Sequence, residues 1–87
     1  MKINEIKDIV RKDVPIYYRR LYNGIAVADL LNKPVEFALE FQIEHMPTGH
    51  VEISIISMDT IDYPLVPLKK ELISFISALD TNGKLPN

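Results

Sequence analysis

The clearest pattern in the chain lies between residues 35 and 45, where apolar and polar positions alternate. Val35, Phe37, Leu39, Phe41 and Ile43 fall on one side; Glu36, Ala38, Glu40, Gln42 and Glu44 fall on the other. This is the mark of a half-buried antiparallel strand. Val51, Ile53 and Ile55 continue an inward face through "HVEISIISM", and "IAVADLL" at 25–31 reads as a short apolar strand. Toward the N-terminus the spacing changes. Ile3, Ile6, Val10, Val14, Tyr17 and Leu21 recur at intervals of three or four, which predicts helix. Pro15 interrupts that run, so two helices or one kinked helix is expected, with Asp13 capping the second piece and Asn23-Gly24 ending it. The β-forming stretch "IYYRRLY" at 16–22 offers a strand instead, but the continuing period favours helix. Near the C-terminus Leu68, Leu72, Phe75, Ile76 and Leu79 form an apolar stripe. It predicts a helix that begins around Pro67 and stops at Asn82-Gly83, with Leu85 packing back on its last turn.

The expected class is therefore α+β, in the order α–β–β–β–α, over one domain spanning residues 1–87. The economical arrangement is a three-stranded antiparallel meander with the N- and C-terminal helices packed on one face. Facing residues of an antiparallel pair share a side of the sheet, so Ile43 should meet Ile53, Phe41 should meet Ile55 and His45 should meet Val51. Pro47-Thr48-Gly49 then becomes a three-residue loop, with proline and glycine at the positions that a type I turn plus a left-handed residue prefers. The preceding hairpin is less determined. A two-residue turn at Asn32-Lys33 sends Ala26, Ala28 and Leu30 inward, whereas a three-residue turn including Pro34 sends Ile25, Val27 and Leu31 inward.

Composition narrows the setting. The chain has 87 residues, 47% hydrophobic and 25% charged, and no cysteine. Disulfides and thiolate metal sites are excluded, and a small core gains from a second subunit, so a homodimer is expected. The charged, periodic N-terminus lacks the apolar run of a signal peptide and no stretch is long and apolar enough to span a membrane, which points to the cytoplasm. The net charge of −2 hides an asymmetry. Residues 1–33 carry seven Lys and Arg against four acids, and residues 34–87 carry three against eight. The two parts can attract one another within a chain or between subunits.

Candidate chemistry is sparse. No nucleophile elbow, glycine-rich phosphate loop, zinc-protease motif or calcium loop is present, so no catalytic residue, metal, cofactor or small-molecule ligand is assigned. The only histidines, His45 and His50, fall on opposite faces in the expected register and should not share a metal within one subunit; a site shared across a dimer is the surviving functional reading. The same register sets Glu44 opposite Glu52 on the outer face, an unfavourable meeting of like charges. Glu36, Glu40, Glu44, Glu52, His50, Ile56 and Met58 are the candidate interface on that face, for a second copy or another protein partner. Asp59 and Asp62 flank the loop before the last helix, where binding backbone amides is the expected role.

"YYRRLY" supports a rival reading, because arginines neutralise phosphates and tyrosines stack on bases. Arg11, Lys12, Arg19 and Arg20 would make the contacts. The expected α–β–β–β–α order is similar to that of double-stranded-RNA-binding domains, a likeness of element order alone. Those domains carry a basic cluster at the start of the last helix, where this chain has Lys69-Lys70 followed at once by Glu71. The leading expectation is a non-enzymatic protein-interaction module that self-associates through its outer sheet face or an edge strand; a small nucleic-acid-binding or regulatory domain is the alternative.

Overall fold

In the computed structural model, which describes residues 1–86, four strands precede a single helix: β1 (Lys2–Lys12), β2 (Arg19–Leu30), β3 (Lys33–His45), β4 (Val51–Met58) and α1 (Leu65–Thr81). The strands form one antiparallel meander in the order β1-β2-β3-β4. The class remains α+β, but the expected order of three strands between two helices is overturned. The N-terminal helix is absent, and its residues form β1, a loop at 13–18 and the start of β2.

The reason lies in two bulges. The pairing of β1 with β2 slips by one residue between Ile3 and Glu5, and again between Lys7 and Val10. Each slip adds a residue to β1 without adding one to its partner. Ile3 and Ile6 are buried opposite Ala28 and Ala26, and Ile9 packs against the same core. Their spacing of three therefore belongs to a strand with one extra residue in each interval, although it imitates a helical stripe. Asp8, at the second bulge, takes a positive φ of 53°. Gly24 makes room for this distortion: a Cβ there would lie 2.9 Å from Ile6 Cγ2 and 3.5 Å from Ile9 Cγ1. The Asn23-Gly24 pair thus serves close strand packing and is no helix stop.

β2 turns Tyr22, Ala26, Ala28 and Leu30 inward, as the shorter of the two turn alternatives requires. The turn sits one residue earlier than expected. Leu30 pairs with Lys33, and Leu31 and Asn32 are the two turn residues, with φ of 50° and 63°. Positive φ at both places is the type I′ geometry that matches the twist of a hairpin. In β3 the alternating face is buried as expected, with Phe37, Leu39, Phe41 and Ile43 in the core.

The β3–β4 register is the expected one: Ile43 faces Ile53, Phe41 faces Ile55, His45 faces Val51 and Glu44 faces Glu52. Gly49 N–H donates to Met46 O at 2.9 Å, Met46 N–H donates to His50 O at 2.8 Å, and Gly49 has a φ of 89°. A bulge between Glu40 and Phe41 in the pairing then shifts the end of β4, so that Met58 faces Leu39. Met58 therefore packs against the core, which corrects its placement on the outer face.

The helix buries Leu68, Leu72 and Ile76 against the sheet. It starts two residues before Pro67, which therefore stands in the first turn, where its missing N–H has no intrahelical partner to lose. At the other end Gly83, with a φ of 67°, donates its N–H to Asp80 O at 3.1 Å and Lys84 N–H donates to Leu79 O at 2.9 Å. This pair of bonds is a Schellman motif. Leu85 packs against the core beyond it, as the sequence predicts. Tyr22 and Phe41 stack with ring centroids 5.1 Å apart in the middle of the core. Among the described residues no helix is long and apolar enough to cross a membrane.

Candidate interaction surface

Three surfaces carry the residues singled out in the sequence: the outer face of the sheet, the end of the sheet beneath the helix C-terminus, and the free edge of β4.

The outer face is internally neutralised. Lys7 Nζ lies 3.0 Å from Glu36 Oε1, Lys12 Nζ bonds Glu40 Oε2, and Arg19 Nε lies 3.7 Å from Glu44 Oε2. The acids stand on β3. Lys7 and Lys12 stand on β1, so their side chains must cross β2 to reach them, over a strand whose outer side presents the half-buried Leu21, Ile25 and Val27. A lysine lays its aliphatic stem on apolar surface and keeps its charge in contact with water or a partner. The Lys7 ammonium is held above its usual pKa, first by its hydrogen bond to Glu36 and then by the same carboxylate's charge, against a smaller opposing effect of desolvation. Glu44 and Glu52 do face each other, but Arg19 pairs with Glu44 from the other side and offsets the repulsion. The charge asymmetry along the chain is thus neutralised largely within one sheet.

The four cations of the nucleic-acid reading do not share a surface. Lys12 faces Leu21 on the outer side, and Arg19 also lies there. Arg11 faces the core residue Tyr22 and is exposed at the margin of the helix side. Arg20 points under the helix: it donates to Asp80 Oδ1 at 3.0 Å and to Tyr22 Oη at 3.1 Å. Burial works against the Arg20 charge, yet the hydrogen bonds to Asp80 and Tyr22 outweigh it and raise its pKa. Three of the four are therefore ion-paired within the chain. The likeness of element order to double-stranded-RNA-binding domains also lapses, because the chain has four strands and one helix.

Arg20 also explains His45. Its Nη2 lies 3.1 Å from His45 Nε2, and since guanidinium has no acceptor, the imidazole nitrogen accepts. His45 thus sits on the helix side with a bonded ring, and His50 is exposed beside the turn. The two are separated as the register required. Among the described residues no group of three or more His, Asp or Glu is placed to hold a metal ion. Asp59 does bind a backbone amide, but across the sheet: its Oδ2 accepts from Ala38 N–H at 2.9 Å, while its own N–H donates to Ala38 O at 3.0 Å. It extends the β3–β4 ladder past the end of β4.

The third surface is only partly legible in the sequence. β4 is an edge strand, and α1 runs back beside it, leaving a groove between them. At one end the groove has a volume of about 620 Å³ and is lined by Val51, Ile53, Ile73, Ala78 and the polar Ser74 and Ser77. At the other end a cleft of about 270 Å³ is lined by Ile55, Ile56, Met58, Ile61 and Leu65. Val51 is 38% exposed, Ile56 49% and Leu65 47%, a concentration of apolar surface along one edge. Of these, the sequence reading reaches Ile56 but not Val51, Leu65 or the helix wall. The signal lies in "VEISIISM", which has one charged residue in its whole length.

The hydrogen-bond parity of this edge follows from the hairpin. Met46 bonds His50, and His45 N–H turns away to Tyr18 O at 2.8 Å. Bonded and non-bonded pairs alternate along an antiparallel ladder. Glu52 and Ser54 therefore direct their backbone groups to β3, while Val51, Ile53 and Ile55 direct theirs outward from the sheet.

No curated protein and no solved structure matches the chain. Residues 1–81, nearly the whole length, match the model of the BB-0187 family, and the chain belongs to that family.

Proposed function

We propose that the chain is a non-enzymatic protein-interaction module that works by strand addition at the edge of β4. The observation that carries this reading is the state of that edge. Its outward N–H and C=O groups at Val51, Ile53 and Ile55 lie beside an apolar groove walled by the helix, and a single acid, Glu52, is the only charge on the strand. An added strand gains main-chain bonds from the edge and side-chain burial from the groove. The outer face, the other surface open to the same role, has its basic and acidic groups already paired with each other.

The test uses a synthetic peptide of the β4 sequence, titrated into the isotopically labelled chain and followed by amide chemical shifts. Shifts confined to Val51–Ile55 and to the Ile73–Ala78 side of the helix are expected. No shift at millimolar peptide, or shifts centred on Glu36, Glu40 and Glu44, would overturn the reading.

A further inference from the structure

We infer that the strand added to β4 is the β4 of a second copy of this chain, paired antiparallel about a two-fold axis at Ile53. The inference rests on the proposal above and assigns the partner for that edge. It is carried by the backbone parity, the position of the bulge and the placement of charge.

Outward groups must meet outward groups. Val51, Ile53 and Ile55 are the outward residues before the β4 bulge, which lies between Ile55 and Ser57. They are symmetric about Ile53. A two-fold axis there pairs Val51 with Ile55 of the second copy and Ile53 with its own counterpart, so every outward group of the regular segment is bonded. Glu52 then faces Ser54 of the other chain. Moving the axis to Glu52 sets Glu52 against itself, and like charges directly opposite are destabilising. Moving it to Ser54 drops Val51 from the ladder and forces pairing across the bulge. The register at Ile53 is the one that uses the whole segment and keeps the acids apart.

The side chains agree with the backbone. Val51, Ile53 and Ile55 lie on the helix side of the sheet, since they face His45, Ile43 and Phe41. In the paired form the same residues of the second copy continue that side and enter the groove beside Ile73 and Ala78. The product is one continuous sheet through both copies, with a helix beside each half of the seam.

The chain has no cysteine, so single-cysteine variants report contacts without background. Facing residues in a bonded antiparallel pair have Cα atoms about 5.5 Å apart, within disulfide reach. Under mild oxidation the full chain carrying Ile53→Cys should cross-link to itself. Val51→Cys alone should not, but a mixture of the Val51→Cys and Ile55→Cys chains should. The mixed pair keeps the test alive if Ile53→Cys fails to fold. Light scattering of the unmodified chain at high micromolar concentration should give twice its 10.0 kDa mass. Self-cross-linking of the Val51→Cys chain in place of the Ile53→Cys chain would overturn this register. A 10.0 kDa particle with no cross-link in either arrangement would overturn the second copy as partner. If that monomer still takes up the β4 peptide, the edge reading stands and the occupant is another protein; if it does not, both fall.

Discussion

β1 and β4 close the same sheet on opposite sides, yet they treat an exposed edge in different ways. β1 carries Lys2, Glu5, Lys7, Asp8, Arg11 and Lys12, is bulged twice and holds a non-glycine residue at positive φ. Charge and bulging are the devices that stop one edge from pairing with another. β4 has one charge and one bulge, and the bulge comes after Ile55, so the first half of the strand is regular. The comparison teaches that edge protection here is confined to one side. An edge left regular and apolar, beside a groove that the helix does not fill, is a surface open to pairing.

The largest expected effect tests how β1 is held. Replacing Gly24 by valine puts branched carbon where a Cβ alone meets Ile6 at 2.9 Å. Overpacking of this kind should destabilise the fold by about 3 kcal/mol, at the upper end of its usual range. Urea unfolding followed by circular dichroism measures it, and an unchanged midpoint would mean that β1 can dock without its bulges nested on Gly24.

A paired proline substitution separates the two sides of β4. The Glu52 N–H serves the β3 ladder, so Glu52→Pro should cost about 2 kcal/mol through the lost bond and its orphaned acceptor. The Val51 N–H points to the free edge, so Val51→Pro should change stability by less than about 1 kcal/mol while weakening association. Denaturation and light scattering on the two variants give the answer. Equal destabilisation would show that the parity of the edge is assigned wrongly.

A change in the central hairpin leaves both edges alone. Leu31 is exposed at a φ of 50°, a conformation that costs a β-carbon-bearing residue about 1–2 kcal/mol and that asparagine tolerates better. Leu31→Asn should therefore stabilise the chain by about 1 kcal/mol. Thermal unfolding should show the gain, and association should be unaffected.

The smallest effect concerns the ion pairs that tie β1 across β2. The Lys7 pKa is raised in the folded chain, so its contribution is complete below the unfolded value of 10.5 and is lost as pH rises through the higher folded value. Lys7 is exposed, and salt screens such pairs. Lys7→Met should alter the unfolding midpoint little at neutral pH, and the difference from the parent chain should vanish in strongly alkaline solution. A difference that grew with pH would reverse the assigned sign.

Legibility in the sequence followed the regularity of the backbone. β3 and the β3–β4 hairpin could be read residue by residue because period-two alternation and the Pro-Thr-Gly turn agreed. The helix and its Schellman end were legible for the same reason: the apolar stripe and Asn82-Gly83 pointed to one boundary. β1 was misread because its bulges turned a strand's period into three. Met58 was misplaced because a single bulge moved it across the sheet. The outer acidic stripe was read correctly as a face, but its neutralisation by β1 depends on β1 being a strand at all.

The amino-acid order by itself determined which residues of β3, β4 and α1 face the core, where the hairpin turns, and that the two histidines part. These follow from local periodicity and turn chemistry, which act over a few residues. Tertiary structure decided that the N-terminal segment joins the sheet, that Lys7 and Lys12 reach across to the β3 acids, and that Arg20 binds beneath the helix. It also decided which strands became edges. Bulges, cross-sheet ion pairs and edge positions exist only once distant segments meet, so they leave no periodic trace for a local reading to find.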